Sequence, residues 1–235
     1  MSKQPRFRYS FDMSARVMAR DKLWDVADVQ HGFLTAKQAA EAGVATSALQ
    51  MLVHRGTLEK VAHGVYRFPK YPVGSHDAKM LAVLWTGAEE AALSHETALD
   101  AYEISDANPN RIHVTVAKRR RIRRAGGDDY EIHYEDLDPA QVGWWSEIPM
   151  VTAATAIVQC IDSGTTASVL RQAIERGHAR GYLTMAQRDE LAERLEKRLA
   201  RRSRLDEMTR RAYEDGLYDV DVDAYSKALA EARRR

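Results

Sequence analysis

Residues 33–69, FLTAKQAAEAGVATSALQMLVHRGTLEKVAHGVYRFP, constrain the fold most: two stretches of helical period are followed at once by two of strand period. The Thr35 hydroxyl caps the first helix, Gly43 ends it in left-handed backbone, and Ala36, Ala39 and Ala40 form its buried face. The connection Gly43-Val44-Ala45 delivers Thr46 as a second cap. Leu49, Leu52 and Val53 then make one apolar stripe, opposite Ser47, Gln50, Met51, His54 and Arg55, and Gly56 closes the helix. From Thr57 the period is two. Leu58, Lys60 and Ala62 alternate with Glu59 and Val61, His63-Gly64 turns the chain, and Val65-Tyr66-Arg67-Phe68 returns before Pro69 bars further pairing.

Two capped helices running straight into a hairpin predict a winged helix-turn-helix. Short polar side chains at the start of the second helix, with a cation further along, suit a helix that meets base edges in the major groove. Gln50, His54 and Arg55 are the base-reading candidates, with Ser47 supporting and the cap Thr46 in the same DNA-binding set; Gln50 suits adenine and Arg55 guanine. Thr35 and Lys37 join the DNA-binding set from the first helix, and Lys60, His63 and Arg67 of the wing are placed to reach phosphate. A bare helix pair also occurs in many small helical domains; the hairpin tips the reading toward DNA.

Charge supports that choice. The whole chain is almost neutral, with 35 Lys/Arg against 34 Asp/Glu, but the first 75 residues hold eleven Lys/Arg against six Asp/Glu. Positive charge is thus concentrated where phosphate would attract it. Residues 14–31 carry Val17, Leu23, Trp24, Ala27 and Val29 on a broad apolar face and predict a supporting helix, with Arg16, Arg20 and Lys22 turned outward.

Pro69, Pro72 and Gly74 mark a junction near residue 74. The spacing predicts an α+β chain of three parts: a DNA-binding domain over 1–74, a mixed α/β domain over 75–183, and a charged helical extension over 184–235. In the middle part 77–86, 91–102, 151–160 and 168–180 read as helices, and 111–117 and 129–134 as strands joined in a hairpin. At its tip Lys118, Arg119, Arg120, Arg121, Arg123 and Arg124 put six cations into seven positions, a density that self-repels unless an anion is near. Phosphate contact, docking onto an acidic protein, or neutralisation by Asp128, Asp129 and Glu131 all fit it. Residues 184–211 read as one long helix, broken near Arg202-Ser203, with Leu191, Leu195, Leu199 and Leu205 on one side; a connection at 217–222 leads to a last helix ending in Arg233, Arg234 and Arg235.

Enzymatic readings find less support. Asp219, Asp221 and Asp223 could align carboxylates for a metal-dependent nuclease or nucleotidyltransferase, but Gly74-Ser75 lies too far upstream to be the phosphate cradle such chemistry requires. Asp129-Tyr130-Glu131-Ile132-His133 lacks the lysine of a restriction-type nuclease. His95-Glu96 has no second histidine four residues on, and His113 and His133 fall on separate strands, so all three read as structural rather than metal-ligating. Cys160, the single cysteine, reads as a small buried hydrophobe. No catalytic residue, cofactor or metal is expected. With no apolar run long enough to span a bilayer and no signal segment at the start, the expected location is the cytoplasm.

Beyond these readings, the order of FLTAKQAAEAGVATSALQMLVHRGTLEKVAHGVYRFP, LSHETAL, HVTVAKRRR, EIHYEDL, IPMVTAATAIVQCID and LRQAIERGHARGYLT resembles the AbiEi antitoxins, the regulator half of type IV toxin-antitoxin pairs. The likeness runs across most of 22–183. It implies a winged-helix domain binding inverted repeats in its own promoter, through a reading helix at Thr46–Arg55 and a wing at Lys60–Arg67. It also implies a second domain that neutralises a nucleotidyltransferase-like toxin, positive charge on that domain at 118–124, and no enzymatic activity. Two copies, as a homodimer or by cooperative binding, would occupy successive major grooves. The rival reading is a winged domain used only for protein contacts.

Overall fold

The computed structural model describes the backbone over residues 9–214 and side chains over 19–211. The carboxylates Asp219, Asp221 and Asp223, the connection at 217–222, the terminal arginines and the side chains of Arg16 and Val17 lie outside the described residues.

Helix α1 (Tyr9–Asp28) sends Leu23 and Ala27 into the core, both fully buried. Val29, expected on the same face, falls just past the helix end and is exposed. A short strand β1 (Phe33–Thr35) comes next and leads directly into α2 (Ala36–Glu41). Thr35 caps that helix as expected: its Oγ1 accepts from the Gln38 backbone amide at 3.2 Å while the Gln38 Oε1 accepts from the Thr35 amide at 2.9 Å. Only Ala39 of the expected alanine face is buried; Ala36 and Ala40 are exposed, because a helix of 6 residues makes fewer than two turns and aims one position at the core.

Helix α3 (Thr46–His54) starts one residue earlier than the capping pattern predicts. Val44, buried against α2 and bonded by its amide to Ala39 O at 2.9 Å, fixes the entry of the chain, so Ala45 is the cap and Thr46 the first helical residue. Strands β2 (Glu59–Ala62) and β3 (Val65–Arg67) form the hairpin, and β1 pairs with the far edge of β3 to give an antiparallel sheet of order β1-β3-β2. Leu23, Ala27, Leu34, Ala39, Leu49, Leu52, Leu58 and Phe68 close one apolar core among these elements. Phe33 and Val65, on the other face of the small sheet, join a second and larger core.

That core begins with α4 (Asp77–Thr86), which has the expected bounds. The next helix is shorter than its periodicity predicts. Ala92–Leu93 forms strand β4, wedged between two neighbours that satisfy its backbone, and α5 runs only from His95 to Ala101. Strands β5 (Ile112–Val116) and β6 (Tyr130–Tyr134) lie where expected but pair in parallel, not as a hairpin. The basic segment 117–129 is therefore a crossover that must travel back along the sheet, which takes about a dozen residues. Strands β7 (Val142–Trp145) and β8 (Ile148–Val151) carry no legible turn signal; they turn at Ser146-Glu147, both left-handed at φ 47° and 63°, without the glycine or asparagine that usually announces such a turn.

The five strands run in the order β6-β5-β4-β8-β7. Helices α6 (Ala153–Ser163), α7 (Ala167–Ala179) and α8 (Met185–Glu214) complete a mixed α/β architecture of two sheets. Helix α8 passes through Arg202-Ser203 without the expected break, burying Leu191 and Leu195 against this core while Leu205 lies exposed beyond it.

Candidate nucleic-acid interface

The outer face of α3 follows from its stripe. Leu49 and Leu52 are 2% and 7% exposed, which orients Thr46, Ser47, Gln50, Met51, His54 and Arg55 to solvent. Among the described residues no hydrogen bond or ion pair occupies the side chains of Ser47, Gln50, His54 or Arg55. Lys60 on β2 and His63 at the hairpin turn are exposed as well.

Other expected contacts are already committed. The Thr35 hydroxyl is engaged in the cap, and Lys37 pairs with Glu41 at 3.7 Å and with Glu89 just after α4. Arg67 corrects the wing assignment most sharply. Its side chain is 12% exposed and turned inward, donating to Asp77 Oδ2 at 2.8 Å and to Pro72 O at 3.1 Å with its guanidinium 5.2 Å from the Phe33 ring. An arginine so held cannot reach phosphate.

The basic crossover divides in the same way. Arg120 grips the Glu90 carboxylate through two bonds of 2.9 and 2.7 Å and Arg119 adds a third of 2.8 Å; the bonded Arg120 guanidinium, above all, holds the Glu90 carboxyl down at about 2. Arg124 donates to Trp85 O at 2.7 Å and lies against Gly87, whose left-handed φ of 64° ends α4 and whose missing Cβ leaves room for the guanidinium. Trp85 in turn donates to Ala125 O at 3.1 Å. Lys118, Arg121 and Arg123 face outward, with Arg121 donating only to the nearby carbonyls of Lys118 and Arg120, each at 2.8 Å. Arg124 also reaches His63 O at 3.5 Å, so the crossover adjoins the hairpin turn of the first sheet.

A second cluster has no signature in the linear sequence. His95, His113 and His133 come together with one ring nitrogen of each within 4.8 Å of the others. His113 Nδ1 stands 2.9 Å from His133 Nε2, and the His95 ring stacks on His133 at 3.5 Å. Burial, ahead of the neighbouring rings, pushes His95 down to about 2 and His133 to about 4, so the rings are neutral at neutral pH. The juxtaposition depends on the parallel register of β5 and β6, which alternating apolar residues cannot distinguish from a hairpin. The same core buries Cys160 completely and pushes its thiol up to about 12, which fits the inert role expected of it.

With this geometry in place, one comparison bears on the N-terminal part. Residues 22–69 match the AbiEi antitoxin transcriptional regulators. The AbiEi match covers α1 from Lys22, both short helices and the hairpin, the elements that carry the uncommitted polar face. A crystal structure of the Rv2827c protein from Mycobacterium tuberculosis is similar at 16% identity and a TM-score of 0.41, over 76% of this chain and 81% of that one. No curated protein matches. Among the described residues no helix is long and apolar enough to cross a membrane.

Proposed function

We propose that the chain is a DNA-binding transcriptional autorepressor and the antitoxin of a type IV toxin-antitoxin pair. In this reading α2, α3 and the β1-β3-β2 sheet act as a winged helix-turn-helix, with α3 as the helix that enters the major groove. The observation that carries it is the outer face of α3, where Ser47, Gln50, His54 and Arg55 are exposed together and engaged by nothing else among the described residues. Gln50 and Arg55 can each make paired bonds to a base edge, while Thr46 and Ser47 at the helix start favour phosphate or a neighbouring base. Lys60, Lys118, Arg121 and Arg123 supply the charge that holds the backbone on either side, with His63 exposed beside them at the hairpin turn.

Neutralisation of a nucleotidyltransferase-like toxin falls to the larger α/β part. Two copies on inverted repeats would set their α3 helices about one helical turn apart. The test pairs two assays. Purified protein should shift a duplex from upstream of its own gene and spare a scrambled duplex at the same salt, and its co-expression should rescue growth from a neighbouring transferase-type toxin. No sequence-specific shift overturns the regulator reading in favour of a protein-interaction module; a Mg²⁺-dependent nucleic-acid product lost in Asp221→Asn would replace it with an enzyme.

A further inference from the structure

We propose that His95, His113 and His133 form a binding site for one divalent transition ion of the zinc class. Three imidazoles are a donor set such ions select, and nowhere else among the described residues does a comparable group converge. The three come from separate elements: His95 opens α5, His113 lies on β5 and His133 on β6. An ion there would clasp the helix to the parallel strand pair.

Several features prepare the site. His95 is a non-glycine residue held at φ 51°, a conformation that costs free energy and persists only where surroundings enforce it. Here the enforcing contacts are visible: Gln159 Oε1 accepts from the His95 amide at 3.3 Å, and the Gln159 amide nitrogen donates to Glu135 Oε2 at 2.6 Å. The outer shell of a metal site is present too. His95 Nδ1 meets Ser94 Oγ at 3.1 Å, an arrangement that fixes ring orientation and leaves Nε2 as the ligand atom. Directly across the ladder from His133, and on the same face as His113, Thr115 is fully buried with an Oγ1 that has no hydrogen-bond partner. A bound ion with its own water would satisfy that hydroxyl.

The rings must move slightly to bind. Two nitrogens on a tetrahedral ion with bonds of roughly 2.0–2.1 Å stand about 3.3–3.4 Å apart. His113 Nδ1 and His133 Nε2, now at 2.9 Å, therefore open by a few tenths of an ångström, and the stacked His95 ring tilts so that the three lone pairs converge. The proton that one of the facing nitrogens carries passes to the outer nitrogen of its own ring, and no net proton is lost.

The experiment uses full-length protein stripped with chelator and titrated with Co²⁺, followed by displacement with Zn²⁺. Wild type should take up one ion per chain with visible ligand-field bands of a tetrahedral or five-coordinate site, and its Tm should rise with Zn²⁺ concentration. His113→Gln and His133→Gln should weaken binding by at least about a hundredfold, since even outer-shell changes cost up to that much. His54→Gln should bind as wild type does. Because either cluster variant could fail to fold, the wild-type protein is also read by NMR: Co²⁺ should broaden the ring protons of His95, His113 and His133 ahead of those of His54 and His63. Folded wild type that binds no ion, full affinity in both cluster variants, or broadening centred on other histidines overturns the assignment.

Discussion

Arg67 on β3 and Asp77 at the start of α4 form an ion pair of 2.8 Å whose side chains are only 12% and 14% exposed. It ties the first sheet to the first helix of the larger core, and the Asp77 charge also sits favourably in the first turn of α4. Arg67 Nε and Asp77 Oδ1 are buried without partners, so the Asp77 carboxylate rests on this one side-chain bond while Arg67 has only Pro72 O besides. Removing one strands the other. Arg67→Ala is expected to lower stability by about 3 kcal/mol in denaturant unfolding. The surviving folded protein should keep its DNA affinity, and a drop in that affinity would return Arg67 to the phosphate-contacting set.

Glu90 and Arg120 give a pH signature. The Glu90 carboxyl is held down at about 2 against an ordinary 4.5, so the bond contributes stability above pH about 4.5 that is lost as pH falls toward about 2. Glu90→Gln should be less stable than wild type at neutral pH and should lose less on acidification. Parallel acid-unfolding curves for the two proteins would show that Glu90 does not anchor the crossover.

Lys118, Arg121 and Arg123 face outward, Arg121 bonding only to the carbonyls of Lys118 and Arg120 in its own segment, while Arg119, Arg120 and Arg124 are held by groups distant in sequence. Arg121→Ala with Arg123→Ala should weaken binding to all duplexes alike and reduce the log–log salt slope by about 2, near 0.9 for each phosphate that is no longer neutralised. An unchanged slope removes the crossover from the interface.

Leu195 on α8 is 1% exposed against the larger core. Leu195→Ala should cost about 2–5 kcal/mol in thermal or denaturant unfolding, as buried leucines do. A loss below about 1 kcal/mol would mean the helix only rests on the surface.

How far the sequence can be read follows from how local each signal is. The cap at Thr35, the stripe of Leu49 and Leu52 and the bounds of α4 depend on neighbours within four residues, and all are legible. Strand β4 and the end of β8 read as the first turns of helices, because Ala92-Leu93 and Val151 carry the same apolar residues in either state and only distant pairing decides. The direction of β6 against β5, and with it the histidine cluster, is equally non-local. The residue types of 118–124 show a basic run, but which arginines are tied to the rest of the fold depends on Glu90, Gly87 and Trp85, all distant in sequence.

The central claim, that the outer face of α3 reads DNA, is tested most directly by fluorescence anisotropy on two duplexes, the region upstream of the gene and a scrambled version, with wild type and Arg55→Ala. Wild type should prefer the upstream duplex. The variant should lose about 1–3 kcal/mol of that preference while binding the scrambled duplex nearly as before. Equal binding of both duplexes by wild type, or an Arg55→Ala protein that discriminates undiminished, would contradict the account.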